Sequence, residues 1–204
     1  MKRDTSGRTY LTAWDAIGGV ERDVKDLMPK GRWADLLPSI PEGNNYLWHT
    51  PDCGGLPLFG WRTRYWSFLL KLAKDQPSWT IQASPGPAVG PFHWSSRLLH
   101  SEELCRIQTF PKSYKISGSK TAVQRQIGNA VPAALAEFLG LESRRQLLGD
   151  ETATTRITLL PRRRGKRPSA ERAANVPRKY LSLVGNHEAH PGTGKGPKGT
   201  QLTK

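Results

Sequence analysis

Cysteine is nearly absent from this chain: its 204 residues contain two, Cys53 and Cys105. They stand far apart, and neither falls in a Cys-x-x-Cys or Cys/His pair of zinc-site spacing. A disulfide framework is therefore excluded, and a reducing compartment is predicted. Apolar residues are also scarce, at 36%, so the core is modest and the length suits one domain and a tail. No run approaches the roughly 20 apolar residues of a membrane span. The opening MKRDTSGRTY is polar and lacks the apolar stretch of a secretory signal. These absences predict a soluble, cytoplasmic protein. Acid is scarce beside base, 17 Asp and Glu against 31 Lys and Arg. The net charge of +14 points to a polyanionic partner; the bland alternative is a basic protein with no nucleic-acid role.

The charge is unevenly spread. Residues 151–204 hold twelve Lys and Arg against three Asp and Glu, a net of +9, which leaves +5 for residues 1–150. The segment 161–168 reads PRRRGKRP, and residues 191–199 read PGTGKGPKG. Apolar periodicity is missing there, so residues 146–204 are predicted to be a disordered basic tail. Within it, Lys179–Val184 (KYLSLV) is the one candidate for a short strand or a docking segment.

Residues 1–150 carry stronger signals. Thr12 followed by Asp15 predicts a capped helix start, and Gly18-Gly19 makes that helix brief. The stretch LLPSIPEGNN at 36–45 reads as loop. Arg62–Lys74 is apolar with basic flanks and suits either helix or strand. Trp79–Ala83, bounded by Pro77 and Pro85, reads as a strand. Ser101 before Glu102 and Glu103 predicts a helix from Ser101 to about Thr109. Pro132 opens a last helix that Gly140 ends, with Leu135, Phe138 and Leu139 on its apolar face.

Two segments stand above composition. The first is RLLHSEELCRIQTFP at 97–111, and the second is QRQIGNAVP at 124–132. In this order and spacing they resemble the ninth and tenth conserved motifs of cytosine-5 DNA methyltransferases. Arg97, Leu99, Glu103, Arg106, Gln108, Phe110 and Pro111 match the ninth; Gln126, Gly128, Asn129, Val131 and Pro132 match the tenth. The DAIG stretch at 15–18 resembles the one that precedes the family's target-recognition domain. Two positions depart: His100 stands for the family's Thr, and Glu102 for its Arg.

The resemblance implies an α/β (mixed) architecture. Residues 1–25 form a linker and short helix, 26–95 a small target-recognition domain, and 96–145 the two motifs with C-terminal helices that complete an S-adenosylmethionine-dependent fold. In the family the tenth motif lines the cofactor pocket, so Gly128, Asn129 and Val131 are the implied S-adenosylmethionine residues. Gly128 is expected to allow a tight turn before a helix whose N–H groups face a carboxylate. The ninth motif is mainly a brace, with Leu99, Leu104, Ile107 and Phe110 packing. Arg97, Arg106 and Gln108 are its candidates for bracing or phosphate contact. Arg62 and Arg64, interleaved with Tyr65 and Trp66, lie where the family keeps its variable DNA-reading segment and are candidate contacts to double-stranded DNA. The tryptophans, Trp61 and Trp66, are expected instead to be core of a small domain.

The chemistry of the family needs a Pro-Cys nucleophile, a Glu-Asn-Val motif and a glycine-rich strand-to-helix turn. None occurs in these residues: Cys53 follows Asp52, and Cys105 follows Leu104. The Rossmann-like catalytic core is thus expected to lie outside this sequence. That implies a partner chain with the nucleophile, in a restriction-modification or related bacterial or phage system. A truncated inactive fragment and a non-catalytic DNA-binding protein are the alternatives.

Overall fold

The computed structural model describes residues 10–19, 25–51, 53–150, 166–185 and 187. They fall into two compact units. One comprises Met1–Asp23, Asp75–Ser84 and Leu99–Arg167, and the other Val24–Lys74, Pro85–Leu98 and Pro168–Lys204. The second unit therefore interrupts the first twice, at residues 24–74 and 85–98, and takes up the chain again from residue 168.

The first unit is helical. Helix α1, Ala13–Ile17, starts as the sequence predicts: the Thr12 hydroxyl accepts from Asp15 N, and the Asp15 carboxylate accepts from Thr12 N at 2.9 Å. Helix α2, Ser101–Ile107, is capped by His100 rather than by Ser101. His100 Nδ1 accepts from Glu102 N at 3.2 Å, and Glu103 Oε2 accepts from His100 N at 2.8 Å. An imidazole nitrogen thus replaces the hydroxyl oxygen of the family's Thr as acceptor. Glu102, the other departure, pairs with Arg106 one turn on at 2.6 Å, a favourable spacing for opposite charges on one helix.

Helix α3, Lys120–Asn129, is absent from the sequence reading, which saw a turn there. Ser119 caps it by accepting from Ala122 N at 3.2 Å. Helix α4, Ala133–Leu147, runs past Gly140 to a Gly149 with φ +66°. Gly140 lies inside the helix with open space where a Cβ would stand, and it costs only about 1 kcal/mol against alanine. Trp79–Ala83 is no strand, since it has no neighbouring strand to pair with. It is an extended segment whose Ile81 packs with Leu104, Val123 and Ile127, with Leu99, Cys105, Ile107 and Ile116 around them. Each fully buried side chain of that kind contributes about 1.5–3 kcal/mol.

The second unit holds almost no regular structure. Its described residues contain 3-10 turns at Lys25–Leu27, Ala34–Ser39, Tyr46–His49 and Arg178–Leu183. Two isolated bridges, Phe68 to Val89 and Lys71 to Phe92, are all the strand pairing there is among the described residues. The stretches read as a 36–45 loop and a 62–74 helix or strand are thus partly 3-10 turn and largely irregular. Aromatic packing replaces ladders. Tyr46 meets Phe59 edge-on at 5.3 Å and Phe68 at 5.5 Å between ring centroids, and Leu36, Leu37, Ile40, Leu58 and Leu69 complete the core. Lys71 is buried and donates to Ile40 O at 2.7 Å; burial pulls its pKa down to about 8, with Glu171 and Glu42 opposing the fall. Lys74 is buried in an ion pair with Glu42.

The expected disordered tail is corrected in its middle. Residues 166–185 are placed, and from Pro168 they belong to the second unit. Lys74 Nζ donates to Ser169 O at 3.2 Å, Glu171 N donates to the Glu42 carboxylate at 3.0 Å, and Ala174 N donates to Pro38 O at 2.9 Å. Tyr180 is 3% exposed, stacks on Trp33 at 5.7 Å and donates its hydroxyl to Arg32 O at 2.6 Å. The docking alternative for Lys179–Val184 matches this placement, although the backbone is a 3-10 turn and not a strand. The tail's remaining basic residues, including Arg162, Arg163 and Arg164, lie outside the described residues.

Candidate functional site

The end of the ninth motif and the tenth motif are locked together within the first unit. Gln108 Nε2 donates to Ile127 O at 2.9 Å and to Ala130 O at 3.3 Å. In return, Gln108 O accepts from Ala133 N at 3.0 Å, and Thr109 Oγ1 accepts from Ala134 N at 2.9 Å. Thr109 reaches that position with φ +59°, an uncommon conformation for a residue with a Cβ. One glutamine therefore satisfies the end of α3 and the start of α4 at once. Replacing it by methionine, which keeps the volume, takes both donations away, from Ala130 O and from an Ile127 O that then keeps only Ala130 N. The expected loss is about 2 kcal/mol, read as a lower urea midpoint; an unchanged midpoint rejects the lock.

This geometry corrects two readings of the tenth motif. The N–H groups at the start of α4 are occupied: Ala133 and Ala134 bond the ninth motif, and Leu135 and Ala136 donate to Pro132 O. They cannot receive a cofactor carboxylate. Gly128 makes no turn; it is helical, and a Cβ there would stand 2.4 Å from Ala83 Cα and N. Its role is to admit the 82–83 backbone, to which Gln124 Nε2 also donates, at Gln82 O, 2.6 Å. Asn129 and Val131 differ from it. Both are exposed, Val131 by 56%, so both fit contact with a group outside these residues.

The candidate DNA contacts separate in the same way. Arg97 is buried at 5% exposure and donates to Leu98 O, and Gln108 is buried in the lock. Arg106 is held by Glu102, and its Nε is buried without a partner among the described residues. Buried groups cannot reach a phosphate, so the bracing alternative stands for Arg97 and Gln108. Arg62 and Arg64 are exposed. Tyr65 and Trp66 beside them are 67% and 43% exposed, so neither belongs to the aromatic core, which Trp33, Tyr46, Phe59 and Phe68 build instead. The Arg64 guanidinium lies 5.8 Å from the Phe68 ring centroid.

Two features escaped the sequence. An open cavity of about 680 Å³ in the first unit is lined by Thr12, Trp79, Arg106, Thr109, Gly128 and Pro132, among others. The face of α4 predicted to pack is exposed: Leu135 by 48%, Phe138 by 39% and Leu139 by 54%. Cys105 lies half-buried, with burial raising its thiol pKa, and Cys53 is exposed. Among the described residues no His, Cys, Asp and Glu cluster could hold a metal ion, and no helix is long and apolar enough to cross a membrane.

The family model for C-5 cytosine-specific DNA methylases matches residues 66–144 of the chain. The chain is 43% identical over 142 residues to the type II methyltransferase M.SacI of Streptomyces achromogenes, covering 64% of this chain and 36% of that protein. It is 33% identical over 139 residues to M.BbvI of Brevibacillus brevis, covering 66% and 37%. DNA (cytosine-5)-methyltransferase 1 of Mus musculus is 36% identical over 117 residues, 53% of this chain and 7% of that protein. The chain thus spans little more than a third of the length of these two bacterial relatives. No solved structure matches it.

Proposed function

We propose that this chain is the DNA-reading and cofactor-pocket-completing part of a cytosine-5 DNA methyltransferase, active only with a catalytic polypeptide that carries the Pro-Cys nucleophile. The observation that carries this reading is the apolar face of α4. Leu135, Phe138 and Leu139 follow helical spacing and remain exposed, in a chain holding about a third of the length of M.SacI. Such a face is costly in water, and a protein surface of matching apolar character is its natural cover.

Each residue then has a task. Arg62 and Arg64 approach base edges or phosphates of double-stranded DNA. Gln108 and Thr109 fix α3 and α4. Asn129 bonds the polar end of the cofactor and Val131 packs on it. S-adenosylmethionine supplies the methyl group when bound. The attack on C6 of a displaced cytosine belongs to the partner's cysteine.

Co-expression with a polypeptide bearing Pro-Cys-Gln and Glu-Asn-Val motifs, followed by bisulfite sequencing, is expected to show C5 methylation that neither chain gives alone. The double substitution Leu135→Asp and Leu139→Asp, both at exposed positions, is expected to weaken capture of that partner at least tenfold, since two charges must be desolvated. Methylation by the 204-residue chain alone sinks the proposal. Undiminished capture by the double variant sinks the docking face.

A further inference from the structure

The exposed Arg62–Trp66 segment has no strand or helix of its own, yet its backbone is held from beneath by one short turn. Tyr46, at the start of the 3-10 turn Tyr46–His49, is fully buried. Its hydroxyl donates to Arg64 O at 2.8 Å and accepts from Arg64 N at 2.9 Å. One phenol thus takes both backbone groups of the residue that carries the guanidinium. Next to it, Asn45 is also buried and uses its two ends differently. Its Oδ1 caps the turn by accepting from Leu47 N at 3.0 Å, while Nδ2 donates to Trp66 O at 2.7 Å. The Tyr46 ring is fixed in turn by edge-on contacts with Phe59 and Phe68.

We infer that Tyr46 and Asn45 are positioning residues for DNA recognition, which hold the Arg64 and Trp66 backbone so that Arg62, Arg64, Tyr65 and Trp66 are presented as a preformed reading edge. The inference rests on the proposed reading that this segment contacts double-stranded DNA. Its physical reason is entropy. A segment without ladder bonds has many backbone conformations, and ordering it on DNA would subtract from the discrimination its side chains give. Three hydrogen bonds from a rigid aromatic core remove that loss before binding. A purely structural Tyr46 would need only its ring, already packed on both sides.

The test uses the full 204-residue chain, its Tyr46→Phe variant and, as a control on the reading itself, Arg64→Ala. Phenylalanine keeps the ring packing and removes both bonds to Arg64. Trypsin cleavage after Arg64, followed by mass spectrometry, is expected to accelerate about tenfold, as one clamp's worth of local opening. A random 30-base-pair duplex library is then offered to each protein, and bound DNA is sequenced. Wild type is expected to enrich a motif, and Tyr46→Phe to lower that enrichment about tenfold while bulk affinity for the unselected library changes less than twofold, because charge steering is untouched. Asn45→Asp, which keeps the cap oxygen and loses the donor, is expected to fall in the same direction. Enrichment retained by Tyr46→Phe alongside faster cleavage overturns the inference and leaves the DNA reading intact. Enrichment retained by Arg64→Ala, or absent in wild type, overturns the reading and the inference with it.

Discussion

Tyr180→Ala is expected to destabilise the second unit by about 3 kcal/mol, the usual cost of emptying an aromatic site in a core. Tyr180 is 3% exposed and lies parallel to Trp33, which itself touches Phe59 and Phe68. Alanine leaves a gap against the same ring system that supports Tyr46, and it strands the Arg32 carbonyl that accepts the hydroxyl. Tyr180→Phe keeps the stack and is expected to cost about 1 kcal/mol. Thermal unfolding followed by tryptophan emission, to which Trp33 contributes, measures both. A midpoint unmoved by alanine would show that the segment merely rests on the unit. Truncation after Asp150 is therefore not a clean way to remove basic charge, because it deletes a core residue as well. A cut after His187 removes Lys195, Lys198 and Lys204 and spares Tyr180.

The second large effect concerns Gly128. Gly128→Ala is expected to cost about 3 kcal/mol, since the new Cβ would stand 2.4 Å from Ala83 backbone atoms and one segment must shift. Asn129→Ala, one residue on and exposed, is expected to change stability by less than about 0.5 kcal/mol. Urea midpoints of the two variants give the comparison. Gly128→Asn decides the physical reason. A turn with positive φ tolerates asparagine better than alanine, whereas a close backbone approach rejects it more strongly. Stability of Gly128→Asn above that of Gly128→Ala would restore the turn. In a reconstituted enzyme the two positions separate again, with Asn129→Ala expected to weaken cofactor binding in a fold left intact.

Local signals in the sequence were sufficient where a few neighbouring residues settle the matter. Thr12 and Asp15 form a capping box within four residues, so α1 was legible to its ends. The start of α2 was legible to within one residue, but the acceptor is His100 and not the Ser101 hydroxyl that the local pattern suggests. The pairing of the ninth and tenth motifs marked the family, because their order and spacing are far less degenerate than either helix pattern.

Tertiary structure decided everything that depends on partners distant in the chain. Gly128-Asn129 reads as a turn because Gly and Asn are turn residues and Pro132 reads as the start of the next helix. The chain is instead helical to Asn129 because Ile127 and Val123 can bury against Ile81 and Leu104, and burial outweighs a glycine's local preference. Gln108 looked like a possible phosphate contact, and only the fold brings Ile127 O and Ala130 O to its amide. Composition alone made residues 166–185 a solvated tail, since their charge is visible locally and the Trp33 ring awaiting Tyr180 is not. The sequence by itself determined the resemblance to the family, the basic character and the cap of α1, all of which are written in residue types and short spacings. Which glycine is for packing, which arginines face solvent, and which tail residue belongs to a core were decided by contacts across 45 to 148 positions of chain, where no local periodicity reaches.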